Sequence, residues 1–307
     1  MPGLSGAIPA RAKINLFLHV GTRRDDGFHP LQSLAVFPVA GDRLAAEEAA
    51  DLSLQLDGPF APLLTGEDNL VLRAARALAE RAGCLAQAHL VLTKNLPVAS
   101  GIGGGSADAA AALKALTRLW RLDLDEKALR EIGADIGSDV PVCVASEPSF
   151  MEGRGEILTP VPVLPRLSLL LVNPGVAVAT KDVFAALRDR HGVDEKLPRG
   201  NFGDLADLLR FLETTGNDLE APAIALRPVI GNVLKALAGT PGALFSRMSG
   251  SGATCFALMA DDDCCRRAAA LLKQRQPDWW VEASFVPAKG LAQETAGQDI
   301  GPTPDGL

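Results

Sequence analysis

The sequence has few of the features that would indicate a disulfide, a zinc site or a membrane span. Its five cysteines form no C-x-x-C pair, and its four histidines are scattered without zinc-ligand spacing. An odd number of cysteines suits reduced thiols in a cytoplasm. Residues 1–12 contain no apolar signal segment, and no apolar run approaches the roughly 18 residues of a spanning helix. We therefore expect a cytoplasmic protein with no membrane partner.

Positive charge is also scarce. The chain has 30 Lys and Arg residues against 37 Asp and Glu residues, which gives a net charge of −7. This balance argues against nucleic acid or an acidic membrane as a general partner. An anionic substrate would have to meet a local positive site. At 307 residues the chain is long enough for a large core and about two domains.

A glycine-rich segment, PVASGIGGGSAD at residues 97–108, follows a predicted strand and precedes an Ala/Leu-rich predicted helix. Ser106 or Asp108 is placed to cap that helix. A glycine loop at a helix N-terminus lets an anion approach unpaired N–H groups closely. The segment is neither G-x-G-x-x-G nor a P-loop, because Ser106 replaces the last glycine and no Gly-Lys-Ser/Thr follows. A flexible surface turn is the alternative, and the flanking elements favour phosphate binding.

Two polar groups lie far from this loop in sequence. Residues 12–20 predict a strand with Lys13 and Asn15 on the face opposite its apolar set. A solvated edge face is an equally good explanation of that pattern. Asp139 lies on a sharp connection before a predicted strand at 142–145. A cap or turn former is the more frequent role of a lone loop aspartate.

Other segments have two explanations each. Phe28 and His29, in the loop before a predicted strand at 31–39, can stack on a flat ligand or anchor the loop. Residues 249–253, SGSGA, separate two predicted strands and can be a simple hairpin turn. Asn69 and Thr180 are placed to cap helices. Three prolines at 160–165 mark a domain boundary, and 289–307 have the composition of a disordered tail.

Taken together, the two glycine segments (97–107 and 248–253) resemble those of the GHMP family of small-molecule kinases. Five further segments are similar to the signatures of one group in this family and occur in its order: 12–16, 26–29, 67–70, 137–141 and 217–220. The resemblance implies a two-domain α+β fold. Its N-terminal domain (1–160) would resemble domain 2 of ribosomal protein S5, and its C-terminal domain (161–288) would be ferredoxin-like.

The activity implied by this resemblance is ATP-dependent phosphorylation of an alcohol. The group with these signatures uses the 2-hydroxyl of a cytidine-diphosphate-linked methylerythritol, in the non-mevalonate isoprenoid route. Asp139 would be the general base for the attacking hydroxyl. Lys13 would keep that carboxylate ionised and offset charge on the transferred group. Mg²⁺ would be carried on the phosphates, with Ser106 near, without a dedicated protein site.

The resemblance also implies the binding residues. Those for the nucleotide are Pro97, Ala99, Ser100, Gly101, Ile102, Gly103, Gly104, Gly105, Ser106, Ala107, Asn69 and Lys94. Those for the acceptor are Asn15, Phe28, His29, Thr180, Gly250, Ser251 and Gly252. We expect the site in a cleft between the domains of a monomer or weak homodimer.

The sequence departs from the family pattern at two places. Phe28 stands where tyrosine is usual, and the chain has no tyrosine at all. The Phe28 ring can still stack on a base, but it cannot donate the hydrogen bond that the tyrosine hydroxyl would. Ala99 and Ser100 replace two frequent glycines, which reduces backbone freedom and adds a hydroxyl. The alternatives are a GHMP kinase with a mevalonate- or homoserine-type acceptor, a nucleotide-binding oxidoreductase, which the broken glycine pattern disfavours, and a non-catalytic nucleotide-binding protein.

Overall fold

A computed structural model describes residues 6–25, 27–64, 69–188, 193 and 200–290. The N-terminal half contributes eight strands within the described ranges, and they form two four-stranded sheets. In chain order they are β1 (Ile8–Arg11), β2 (Ile14–Val20), β3 (Leu31–Val36), β4 (Gly41–Glu47), β5 (Leu52–Asp57), β6 (Ala88–Thr93), β7 (Ser149–Gly153) and β8 (Ile157–Pro160). The strand orders are β1-β4-β6-β5 and β2-β3-β7-β8, and every pair is antiparallel except β5 with β6.

Helices cover the first sheet. They are α1 (Leu70–Ala82), α2 (Gly104–Leu119), α3 (Glu126–Ile136) and α4 (Val140–Ala145), and a 3-10 turn lies at Ala61–Leu63. Asn69 caps α1, as predicted, because its side chain accepts a hydrogen bond from the Val71 N–H. The alanines of α2 are small enough to bring that helix close to α1 and β4, where they join one apolar core. This packing fixes the start of α2, and with it the glycine loop.

The second half forms a β-α-β-β-α-β unit with additional helices in its first crossover. Its elements are β9 (Leu167–Asn173), α5 (Thr180–Ala186), α6 (Leu205–Glu213), α7 (Glu220–Leu226), α8 (Val229–Ala238), β10 (Ala243–Met248), β11 (Cys255–Met259), α9 (Asp262–Arg275) and β12 (Trp280–Val286). The antiparallel order β10-β11-β9-β12 is that of a ferredoxin-like sheet. The predicted α+β fold is confirmed, and the limits 1–160, 161–288 and 289–307 stay predictions.

β2 lies between the two halves, and all seven of its residues are buried. Its Ile14, Leu16 and Phe17 side chains join a core shared with β9, β11 and α6. Leu18 and Val20 join a second core with β9, β11 and α8. The Leu18 N–H donates to the Gly216 carbonyl, and the Asp218 N–H donates to the Leu18 carbonyl, each at 2.9 Å. β2 is the edge strand of its sheet, but its polar face is buried, so the explanation by a solvated face is wrong.

Several local predictions are also wrong. Residues 142–145 belong to α4 instead of a strand, because Pro141 occupies the first turn of a helix and the apolar residues pack on α2 and α3. α2 begins at Gly104 with Gly103 as its N-cap, so neither Ser106 nor Asp108 caps it. Thr180 is the first residue of α5 and follows the N-cap Ala179.

The sequence did not predict β4. Other expectations concern residues outside the described ranges: residue 26 and residues 67–68 of the signature segments, and residues 291–307 of the tail.

Candidate active site

A cleft of about 1420 Å³ lies between the two halves of the chain. Its walls come from the loop after β6, the start of α2, the turn before α4, the β2–β3 loop, the start of α5 and the β10–β11 loop. These are connections and element ends, which is where a rigid scaffold usually carries its binding groups. Most of the predicted site residues line this one cleft; those that do not are Ile102, Ala107 and Gly252.

Lys13 and Asp139 form an ion pair in the cleft. The Lys13 Nζ lies 2.8 Å from the Asp139 Oδ1. The Lys13 side chain is buried, and its backbone N–H donates to the Ile102 carbonyl at 2.9 Å, which ties it to the glycine loop. The Asp139 side chain is 36% exposed and makes no capping hydrogen bond to α4, although Asp139 is the N-cap residue. The capping role expected for a lone aspartate is therefore wrong, and its carboxylate is available to the cleft.

The glycine loop presents the N-terminus of α2 to the same cleft. Gly103 has φ +64°, and Gly104, Gly105 and Ser106 form the first turn and line the wall. The first N–H groups of a helix have no partner within it. Together with the helix dipole, they form a site suited to a phosphate. The geometry agrees with the predicted anion site, without a P-loop lysine.

The two residues that replace family glycines are accommodated differently. Ala99 adopts the left-handed conformation that glycine favours, with φ +51°. Ser100 is buried, and its hydroxyl donates to the Pro97 carbonyl at 2.6 Å. The extra hydroxyl therefore bonds within the loop. Ala99 and Ser100 therefore fit the turn of the glycine loop although glycine is frequent at both positions in the family.

Lys94 lies under the loop between two carboxylates. Its ammonium donates to Asp42 and, at 2.8 Å, to the Asp108 Oδ2 on α2. Asp42 also accepts from the N–H groups of Asn95 and Leu96, at 2.6 and 2.8 Å. Burial acts to lower the pKa of Lys94, but the two carboxylates outweigh it and raise that pKa. Lys94 lines the cleft as predicted, yet its charge is compensated by carboxylates from β4 and α2.

Asp108 is the remaining member of this cluster. Burial, with the charge of Asp42, raises its pKa to about 8 against the attraction of Lys94. Its Oδ1 is the one buried side-chain oxygen or nitrogen of the described residues that has no hydrogen-bond partner. Burial therefore disfavours the ionised form of this carboxyl, which its contact with the Lys94 ammonium favours.

The opposite end of the cleft carries aromatic rings. Phe28 is 47% exposed, and the Arg154 guanidinium lies 3.6 Å from its ring centroid. His29 Nδ1 donates to the Gly21 carbonyl at 3.0 Å, which leaves Nε2 of a neutral ring as an acceptor. The ring of Phe184, on α5, is 5.5 Å from that of His29. A flat ligand and an anionic group are both suited to this end.

Sequence reasoning missed Arg154 and Phe184. Arg154 belongs to the GRG turn at 153–155, which joins the antiparallel strands β7 and β8. Phe184 is one apolar residue of a short helix. No local pattern marks either residue, since only the packing of α5 and β7 around the cleft brings both to the Phe28 end.

The β10–β11 loop reaches the cleft from the C-terminal half. The Thr180 Oγ1 lies 2.8 Å from the Ser251 Oγ, and Gly250 and Ser251 line the wall. Asn15 donates from its side chain to the Ser33 Oγ at 2.7 Å, and its backbone N–H donates to the Ser249 Oγ at 3.1 Å. The loop is thus a hairpin connection, and it also forms part of the site.

No group of three or more His, Cys, Asp or Glu side chains suited to a metal lies among the residues that the structure describes. The oxygen donors at the start of α2 are the Ser106 hydroxyl and the Asp108 carboxyl. Mg²⁺ prefers oxygen ligands and keeps substrate phosphates among them. The Asp108 carboxyl already accepts a hydrogen bond from the Lys94 ammonium, so Ser106 fits such an ion better than Asp108 does.

A helix N-terminus and an Asp–Lys pair in one cleft are features suited to phosphoryl transfer, and comparison with known proteins shows the class to which the chain belongs. The pattern described as "GHMP kinases N terminal domain" matches residues 69–147, and "GHMP kinases C terminal" matches residues 195–271. The chain belongs to the GHMP kinase family. Within the described ranges, no helix has the length and apolar character needed to span a membrane.

The relatives are more specific. The chain is 52% identical over 281 residues to a 4-diphosphocytidyl-2-C-methyl-D-erythritol kinase of Parvibaculum lavamentivorans, covering 90% of this chain and 96% of that protein. It is 49% identical over 275 residues to the kinase of the same name in Rhodospirillum rubrum, covering 89% and 90%. A crystal structure of 4-(cytidine 5'-diphospho)-2C-methyl-D-erythritol kinase superposes with a TM-score of 0.75 at 32% identity, covering 91% of this chain and 99% of that one.

Proposed function

We propose that the protein transfers the γ-phosphoryl group of ATP to the 2-hydroxyl of 4-diphosphocytidyl-2-C-methyl-D-erythritol. The observation that carries the proposal is the Lys13–Asp139 pair, 2.8 Å apart, beside the N-terminus of α2. The names and high identities of the relatives support the choice of acceptor. The reaction would supply the non-mevalonate isoprenoid route, and five free cysteines are consistent with a cytoplasmic location.

The chemistry assigns one step to each group. The acceptor oxygen forms a bond to the γ-phosphorus while the bond from that phosphorus to the β–γ bridging oxygen breaks, and ADP leaves. Asp139 takes the proton of the attacking hydroxyl. Lys13 holds the Asp139 carboxylate in place and offsets charge on the transferred group. Phosphoryl transfer has a loose transition state, so positioning and charge stabilisation are the main tasks of the protein.

The donor end is assigned to residues 97–107 with Asn69 and Lys94. N–H groups of Gly104, Gly105 and Ser106 would bind the β- and γ-phosphates. Mg²⁺ would be held mainly by those phosphates, with the Ser106 hydroxyl as its nearest protein donor, and would neutralise their charge. Because Lys94 is already paired, it would act by fixing the loop, and its charge would not be available to ATP.

The acceptor end is assigned to Asn15, Phe28, His29 and Thr180, joined by Gly250 and Ser251. Cytosine would stack on Phe28, and His29 Nε2 would accept a hydrogen bond from its amino group. Arg154 is an exposed cation in this cleft, and its guanidinium lies over the Phe28 ring, with no ion-pair partner among the described residues. It would therefore be placed to attract the diphosphate of the acceptor in a protein whose net charge is −7.

The test is an acceptor panel. The purified protein is incubated with ATP and Mg²⁺ and one of three acceptors: the cytidine-linked methylerythritol, mevalonate or homoserine. Product formation is followed by mass spectrometry, and ³¹P NMR locates the new phosphate. We expect turnover of the cytidine compound, phosphorylated at its 2-hydroxyl. Turnover of mevalonate or homoserine alone would identify a different GHMP kinase, and nucleotide binding without any turnover would identify a non-catalytic protein.

A further inference from the structure

The segment Asn217–Glu220 was noted in the sequence but has no part in the chemistry described so far. It connects α6 to α7, and Asn217 does not line the cleft. We propose that Asn217 is a positioning residue that holds the two glycine loops against each other and thereby sets the geometry of the donor site. The proposal rests on the proposed function only in taking residues 97–107 as the nucleotide site.

Both polar atoms of the Asn217 side chain have hydrogen-bond partners. Its Nδ2 donates to the Met248 carbonyl at 2.8 Å and to the Gly250 carbonyl at 2.9 Å. Its Oδ1 accepts from the Leu219 N–H at 2.9 Å. An amide of this length supplies two donors and one acceptor in a fixed plane, whereas a carboxylate supplies no donor. Asn217 therefore fixes both carbonyls at the start of the β10–β11 loop.

The backbone around Asn217 is hydrogen bonded to β2. Backbone hydrogen bonds join Leu18 to both sides of Asn217, through Gly216 and Asp218. The Asp218 Oδ2 accepts from the Val20 N–H at 2.7 Å. Glu220 accepts from the Met248 N–H at 2.9 Å, so the end of β10 is held by two side chains of the same segment. β2 follows directly after Lys13 and contains Asn15. The segment around Asn217 is therefore bonded to the strand next to the Lys13–Asp139 pair.

The β10–β11 loop contacts the glycine loop at 97–107 through backbone atoms of glycines. A Cβ added to Gly250 would lie 2.6 Å from the Gly101 carbonyl oxygen, and one added to Gly101 would lie 2.6 Å from the Gly252 oxygen. The Ser249 hydroxyl donates to the Gly101 carbonyl at 3.3 Å. Thr254 donates from its N–H to the Ser100 carbonyl at 3.1 Å. Because the two backbones are in direct contact at these glycines, we expect a shift of one loop to move the other.

A change at Asn217, in the C-terminal half, should therefore alter nucleotide binding at the N-terminal glycine loop. Loss of the Asn217 amide should weaken nucleotide binding, although Asn217 touches only the C-terminal loop. Asn217→Asp keeps the size and the acceptor for Leu219 but directs an oxygen at two carbonyl oxygens. A misplacement of about 1 Å in a site can cost ~10²-fold in rate. We expect kcat/KM to fall roughly 10- to 100-fold, and the Kd of a non-hydrolysable ATP analogue to rise at least about fivefold.

Isothermal titration with the analogue, without acceptor, is the deciding measurement. Asn232→Asp, on the exposed face of α8, adds the same charge and should leave the Kd unchanged. An unchanged Kd in a less stable Asn217→Asp protein would mean a structural role only and overturn the proposal. A higher acceptor KM with unchanged nucleotide Kd would overturn it as well, since the effect would stop at the C-terminal loop.

Ser249→Ala is the second variant. It removes the hydroxyl between Asn15 and Gly101 without adding charge, so it decides the matter if Asn217→Asp does not fold. We expect a smaller rise in nucleotide Kd in the same direction, and no change would contradict the coupling of the loops. Failure of the wild-type protein to phosphorylate the cytidine acceptor would refute the proposed function, while the comparison of nucleotide affinities would still decide the role of Asn217.

Discussion

The Lys13 ammonium lies 2.8 Å from the Asp139 carboxylate, and the Lys13 backbone is hydrogen bonded to the phosphate loop. This relationship links the acid–base group, its counter-charge and the donor site into one unit. We predict that Asp139→Asn lowers kcat by about 10²-fold or more, because the amide cannot accept the hydroxyl proton. Rapid-quench assays would measure the rate of phosphoryl transfer, and titration with an ATP analogue would measure nucleotide affinity separately.

Nucleotide affinity should survive this substitution, since no phosphate contact is removed. Asp278→Asn, an exposed change far along the chain, serves as the control for the loss of one negative charge and should keep full activity. If Asp139→Asn turned over at the wild-type rate, Asp139 would not be the base, and the ion pair would have only a structural role.

The elements around this pair differ in how far the sequence predicts them. α1 was predictable because Asn69 and Gly83 mark its two ends and the apolar spacing between them is helical. α4 was not, because a short run of Val, Cys and Ala favours a strand until its contacts with α2 and α3 are known. The glycine segment at 97–108 predicted an anion site, and the structure places it against the same cleft as Gly250 and Ser251.

The site itself depends on contacts between distant segments, which local patterns do not contain. Lys13 and Asp139 were paired only through the family resemblance, since each alone has an ordinary explanation. Lys94 was expected to lie toward the nucleotide, and that role stays a prediction. Its partners Asp42 and Asp108 had no recognisable signal, because one lies on β4, which was not predicted, and the other was assigned as a cap.

Phe28 offers a test of acceptor recognition. Its ring is exposed in the cleft with Arg154 near its face. Base–aromatic stacking contributes about 1–3 kcal/mol, so we predict that Phe28→Ala raises the acceptor KM roughly 5- to 100-fold. Phe28→Tyr should keep the wild-type KM or lower it, since it retains the ring and adds a hydroxyl. Steady-state kinetics with each substrate varied in turn would measure this, and a rise in the ATP KM instead would place the ring at the donor end.

Gly101 is one of the two positions where the backbones of the loops approach most closely. Its φ of +75° and the backbone atoms of Ser249 and Gly252 within 2.7 Å of an added Cβ leave no room for a side chain. We predict that Gly101→Ala destabilises the protein by about 2 kcal/mol or more, measured by urea unfolding. Gly105→Ala is the matched control for stability, because its Cβ would meet only Leu70 at 3.4 Å and alanine favours a helix. Equal unfolding midpoints for both variants would show that the loops can separate without cost.

The buried cluster beneath the loop should make stability depend on pH. Burial raises the pKa of Asp108 to about 8, from an ordinary value of 3.8. Between these two values the native state keeps a proton that the unfolded chain has released. The free energy of unfolding must therefore fall as pH rises through this window, and it becomes independent of Asp108 above about pH 8. Melting temperatures of the wild-type protein should accordingly decrease from pH 5 to pH 8.

Asp108→Asn removes the titration and keeps an oxygen that accepts from the Lys94 ammonium, which in the wild-type protein lies 2.8 Å from Oδ2. We predict a shallower decrease of the melting temperature over the same pH range for this variant, and a smaller difference from wild type at pH 5 than at pH 8. Asp51→Asn, at an exposed position, should keep the wild-type slope. Parallel curves for Asp108→Asn and wild type would mean that Asp108 is ionised in the native protein. The cluster would then carry a net negative charge beneath the phosphate loop, against the binding of ATP.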